Sequence, residues 1–103
     1  MEKLLIMYDL PHKTKQQRKI AGRFRRKLIQ LGFNMLQYSI YLRIITTQNE
    51  KENIISQVKQ IAPKQGTVRI ISLTESEYAK MNLLSGERLP IENTFTFPNV
   101  IEL

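Results

Sequence analysis

The sequence predicts an α+β fold, an antiparallel sheet carrying helices on one face. Three observations lead there. Two short apolar runs, Lys3–Asp9 and Thr67–Leu73, are rich in strand-forming residues and too short for buried helices. Two segments between them space their apolar residues as helices do, each behind a capping signal. The stretch separating those segments, residues 33–45, is dense in aromatic and β-branched residues and reads as a pair of strands. The order strand, helix, two strands, helix, strand is βαββαβ, the split βαβ or ferredoxin-like arrangement.

Taken in order, "LLIMYDLP" (residues 4–11) is an apolar strand stopped by Asp9 and Pro11. "TKQQ" follows as a capping box, with Thr14 capping and Gln17 reaching back. Ile20, Phe24, Leu28 and Leu31 form the apolar stripe of the first helix, and Gly32 supplies its stop. "FNMLQYSIYLRII" bends near Gln37–Ser39. A second capping box, Thr47 to Glu50, opens a helix with the stripe Ile54, Ile55, Val58 and Ile61, ended by Pro63. "KQG" turns into the strand 67–73. A third box, Thr74 to Glu77, starts a short helix bearing Tyr78 and Met81. Residues 1–82 thus form the ferredoxin-like, nucleic-acid-binding part of a single domain. Residues 83–103 are a tail whose "FTFPNVIEL" offers an additional C-terminal strand.

Residues 4–8 and 40–45 barely alternate between apolar and polar, so both faces of the sheet want cover. A chain of 103 residues builds only a modest core of its own. The simplest cover for the helix-free face is a second copy, which predicts a two-fold homodimer packed sheet to sheet. The absence of cysteine excludes disulfides and thiolate metal sites. The N-terminal apolar run is too short for a membrane span or a signal core. These features predict a cytoplasmic protein with no membrane partner.

The net charge of +7 is unevenly placed. From Leu10 to Asn49 there is no acidic residue, yet nine basic ones: Lys13, Lys15, Arg18, Lys19, Arg23, Arg25, Arg26, Lys27 and Arg43. The rest of the chain is slightly acidic. A merely solvated helix face normally interleaves Glu with Lys and Arg; a polyanion-binding face does not. No base-reading pattern accompanies these cations, and "GTVRIISL" lacks the paired aromatics of an RNA-recognition strand. Phosphate contacts by Arg18, Arg23, Arg25, Arg26, Lys13 and Lys15, independent of sequence, are the expectation. Phosphate-loop, dinucleotide and metalloprotease motifs are absent.

"MYDLP", the basic helix ending in "FRRKLIQLGF", and "LQYSIY" together resemble the CRISPR-associated protein Cas2 family. "TESEYAKM" is similar to the subtype found beside single-protein effector nucleases. The resemblance implies a dimeric ferredoxin-like protein of spacer acquisition that holds an incoming double-stranded DNA (the protospacer) and bridges dimers of the CRISPR integrase. It also implies that the C-terminal strand pairs with the partner chain's sheet. Some members of the family are metal-dependent endonucleases on RNA or DNA.

Asp9 is the sole aspartate. Next to Leu-Pro it serves as a turn former, or it serves chemistry. Mg²⁺ keeps several waters and takes one or two carboxylates plus a phosphate. One Asp9 per chain is a poor site; a dimer axis between the strand ends would bring two. The resemblance maps the family's metal-binding aspartate onto Asp9, making it the candidate metal ligand and catalytic residue, with Tyr8, Ser39 and Tyr41 in support. Read from the strands alone, Tyr8 and Tyr41 are core aromatics and Ser39 orders the Gln37–Tyr41 bend. No base is spaced to activate Ser39. His12, the only histidine, belongs to an exposed loop.

Overall fold

The computed structural model describes residues 1–93. The expected C-terminal strand in "FTFPNVIEL" lies outside the described residues. Strands β1 (Glu2–Asp9), β2 (Asn34–Gln37), β3 (Ile40–Ile45) and β4 (Thr67–Thr74) form one antiparallel sheet in the order β2-β3-β1-β4. Helix α1 (Lys15–Gln30) joins β1 to β2, and α2 (Gln48–Ile61) joins β3 to β4. A short helix α3 (Glu75–Ala79) and a 3₁₀ turn (Pro90–Asn93) follow.

Local signals set the boundaries. The Thr14 hydroxyl accepts from the Gln17 amide, and the Gln17 side chain accepts from the Thr14 amide, so the first capping box is closed. The helix ends in a Schellman motif: Phe33 N–H donates to the Leu28 carbonyl and Gly32 N–H to that of Ile29, with Gly32 at φ 92°. Thr74 and Glu77 close a second reciprocal box. The Thr47 box is only half formed. Thr47 caps the Glu50 amide, but the Glu50 carboxylate turns away to the Thr46 amide and to Arg43. Ala62 leaves α2 in an extended conformation (ψ 131°), as the residue before Pro63 must.

The core divides between the two sheet faces. Leu4, Ile6, Tyr41 and Ile45 project toward Phe24 and Leu28 of α1 and Ile54 and Val58 of α2. The opposite face was expected to be bare of helices, but α3 lies on it. Tyr78, 2% exposed, packs on Leu5 and Leu42, with Leu36, Leu73 and Ile91 around them. Lys3 is buried beneath it, its Nζ 4.6 Å from the centre of the Tyr78 ring, a cation–π contact. Burial pushes the Lys3 pKa down. The Tyr78 hydroxyl donates to Glu92 at 2.6 Å, and Leu89 N–H donates to the same carboxylate, which ties residues 89–92 onto this cover. Met81 lies beyond the helix and is half exposed. The cover reaches only the part of the face nearest the start of β1. Toward the Asp9 end the face stays open: Ile71 is 44% exposed and Arg69 is exposed.

Candidate functional site

Asp9 ends β1 opposite Thr67 of β4, and its side chain is exposed. By the alternation of β1 it belongs to the face that carries α3, with Leu5 and Met7, at the end that α3 leaves open. Its backbone is tightly packed. A Cβ placed on Gly66 would lie 2.5 Å from the Asp9 carbonyl oxygen, and Gly66 has φ 86°, so glycine is required on both counts. Among the described residues, no group of three or more His, Cys, Asp or Glu comes together to hold a metal ion. Among the described residues of the sheet strands, Asp9 is the carboxylate at this end.

The residues expected to support Asp9 divide sharply. Tyr8 points to the helix side, edge-on to Phe24 (5.2 Å between ring centres) and stacked with Tyr41 at 6.0 Å. Burial, followed by the neighbouring Tyr41, pushes the Tyr8 phenol up to about 12, so it stays protonated at neutral pH. Tyr41 is 1% exposed. Both are core aromatics, separated from Asp9 by the thickness of the sheet. Ser39 sits in the β2–β3 turn at φ 64°, and its carbonyl accepts from the Tyr8 amide at 3.1 Å. Its backbone shapes the bend. His12 is exposed, its Nδ1 3.5 Å from the Leu10 carbonyl.

The cations gather on α1. Lys15, Arg18, Lys19, Arg23, Arg25, Arg26 and Lys27 are all exposed. At about 3.6 residues per turn they occupy roughly the outer half of the helix, opposite the Phe24–Leu28 stripe. Lys13 is exposed in the loop ahead of it. Both ion pairs among the described residues, Arg43–Glu50 and Lys51–Glu2, lie elsewhere, so the charge of α1 is uncompensated. Arg18 has a local task as well: its Nη1 donates to the carbonyls of His12 and Lys13 and straps the loop to the helix.

Arg43 departs from this set. Its Nε donates to the Leu31 carbonyl at 2.7 Å, and its Nη1 to the Ile44 carbonyl and to Glu50. It fastens the end of α1 to the start of α2 and is not a surface cation. Sequence reasoning also passed over Tyr38, in the turn beside Ser39, which is 91% exposed. The one available signal was an aromatic placed between two small or polar residues at a predicted bend. A groove of about 380 Å³ between Leu10, Pro11, Ile20, Ala62 and Pro63 has neither carboxylate nor imidazole in its lining.

The fold and the site define a class: a small ferredoxin-like domain with one uncompensated cationic helix and a lone carboxylate at a strand end. Comparison with known proteins narrows it. The family described as CRISPR associated protein Cas2 matches residues 1–81. A Campylobacter jejuni protein named CRISPR-associated endoribonuclease Cas2 is 43% identical over 84 residues, 82% of this chain and 59% of that protein. Proteins of the same name from Flavobacterium psychrophilum and Lacticaseibacillus rhamnosus are 34% and 37% identical, over 86% and 89% of this chain and 76% and 92% of theirs. The crystal structure of Streptococcus pyogenes Cas2 at pH 6.5 shares the fold, with TM-score 0.61 and 20% identity, covering 81% of this chain and 99% of that one. The chain belongs to the Cas2 family. Among the described residues, no helix is long and apolar enough to cross a membrane.

Proposed function

We propose that the protein is a dimeric DNA-holding module of CRISPR spacer acquisition, which grips the sugar–phosphate backbone of an incoming duplex and bridges dimers of the integrase. The observation that carries this reading is the outer face of α1, where seven exposed cations stand without an acidic neighbour in the helix. Such a face tracks phosphates irrespective of base sequence. The dimer rests on the part of the far face that α3 leaves open, where Ile71, opposite Leu5, is exposed and Met7, two residues before Asp9, is partly so. Two copies meeting there would set two Asp9 carboxylates near one axis.

One observation favours a second activity at the same place. Asp9 is exposed at a strand end where a second Asp9 can meet it, and the curated relatives are named endoribonucleases. The paired carboxylates suit a hard divalent cation such as Mg²⁺, which retains waters and accepts a phosphate oxygen. When bound, that cation would supply the charge that polarises a phosphodiester for hydrolysis. Asp9 would then bind metal, with Tyr8 and Tyr41 acting only as the packed support of its strand.

Asp9→Ala separates the two readings. Labelled duplex DNA and single-stranded RNA are titrated with wild type and variant at increasing Mg²⁺, scoring binding and cleavage together. The holding module predicts equal binding by both proteins and no Asp9-dependent cleavage. Cleavage that requires both Mg²⁺ and Asp9 would make the endonuclease the principal activity.

A further inference from the structure

The part of the far face that α3 leaves open carries one charge of each sign. Arg69 stands opposite Met7 in the β1–β4 ladder and Asp9 opposite Thr67, so the two are diagonal neighbours across the strand pair. Alternation puts both on one face, because Tyr8, Val68 and Ile70 beside them pack into the core on the other. Both side chains are exposed, and among the described residues neither makes a hydrogen bond or an ion pair within the chain. Their surroundings are apolar. Ile40, Met7 and Arg69 form one cross-strand row, the first two partly buried, and Ile71 is 44% exposed two residues further along β4.

An apolar partner laid over this face would strip both charges of water and leave them unpaired, which is costly. A second copy of the chain avoids that cost. In a two-fold contact residue i meets residue j while j meets i, so a face bearing one acid and one base is its own complement. We propose that Asp9 of each protomer pairs with the partner's Arg69, and that these two symmetric ion pairs fix the register in which the sheets stack. The inference rests on the sheet-to-sheet dimer proposed above. It also supplies the countercharge that two Asp9 carboxylates near one axis need. Diagonal neighbours on adjacent strands lie about 7–8 Å apart, within reach of an arginine, so a pair inside one chain is the competing arrangement.

The test reads the dimer dissociation constant of the full chain by sedimentation equilibrium. Asp9→Arg and Arg69→Asp each oppose like charges across the axis, and each alone is expected to weaken its homodimer at least about tenfold. An equimolar mixture of the two variants is expected to recover wild-type affinity, because every cross-axis contact in the mixed dimer again joins opposite charges. Recovery also shows that both variants fold. The milder Asp9→Asn and Arg69→Gln, alone and combined, serve as a double-mutant cycle whose losses should fall short of additive. Additive losses, or variant homodimers as tight as wild type, would overturn the pairing. Recovery in the double variant Asp9→Arg, Arg69→Asp without recovery in the mixture would place the pair inside one chain and overturn it too. A wild-type dimer that forms only with Mg²⁺ would mean that a cation joins the carboxylates instead. A wild type that stays monomeric at every concentration would overturn the dimer reading itself, and the pairing with it. Working well above the weakened dissociation constant keeps Asp9→Ala dimeric, so the duplex-binding comparison above is unaffected.

Discussion

Arg43→Ala should loosen the joint between the two long helices. The guanidinium makes three hydrogen bonds: 2.7 Å to the Leu31 carbonyl, 3.2 Å to the Ile44 carbonyl and 3.0 Å to the Glu50 carboxylate. Its side chain is 20% exposed and that of Glu50 32%, so solvent screens the ion pair and its share is near the modest value of surface pairs. Allowing about 1 kcal/mol for the Leu31 bond and about as much for the other two together gives a loss of about 2 kcal/mol. For a domain of this length that lowers Tm by about 8–16 °C, read by thermal unfolding at fixed protein concentration. The Glu50 carboxyl is held down to about 2, first by the Thr46 amide and then by Arg43. A depressed carboxyl contributes its stability above the unfolded value near 4.5 and loses it as pH falls through the folded value. The advantage of wild type over Glu50→Gln should therefore be full at pH 6 and shrink toward pH 2. A Tm for Arg43→Ala within about 2 °C of wild type would leave the three bonds worth under about 0.5 kcal/mol, too little for a joint between the helices.

Two further outcomes follow from close contacts. Gly66→Ala drives a Cβ to 2.5 Å from the Asp9 carbonyl and 2.9 Å from Leu10 at φ 86°; a loss of about 2 kcal/mol or more in urea unfolding is expected, and a neutral result would contradict that close approach. Tyr78→Phe removes the hydroxyl that donates to Glu92 at 2.6 Å and should release residues 89–92 from the sheet. Trypsin should then cut after the exposed Arg88 faster than in wild type; an equal rate would mean that ring packing alone holds the cover.

Much of this architecture is legible in the sequence because its signals are local. Thr14 with Gln17 and Thr74 with Glu77 close the boxes their spacing announces, and Gly32 takes the left-handed turn that a helix end asks of it. The readings that changed depend on contacts distant in sequence. Glu50 has the spacing of a box partner for Thr47, but a closer competitor in space, Arg43, draws its carboxylate aside. Arg43 counts as one more cation in the basic stretch until β3 places it on the helix face, within reach of the Leu31 carbonyl. A five-residue helix with one aromatic gives no hint that Tyr78 will cover Leu5 and Leu42 on the far face. Asp9 was legible as an exception, the sole aspartate at the end of an apolar strand. Its face follows from the alternation of that strand. Tyr38 was not, because exposure is a property of the finished turn.

A helix that holds nucleic acid by its phosphates, as proposed for α1, releases counterions on binding. The most direct measurement is the salt dependence of duplex binding for wild type and for Arg23→Ala with Arg26→Ala, on two duplexes of unrelated sequence. Each lost phosphate contact should flatten the plot of log affinity against log salt concentration by about 0.9, so the double variant should lose close to 2 units of slope, equally on both duplexes. An unchanged slope, or a loss confined to one sequence, would contradict the account.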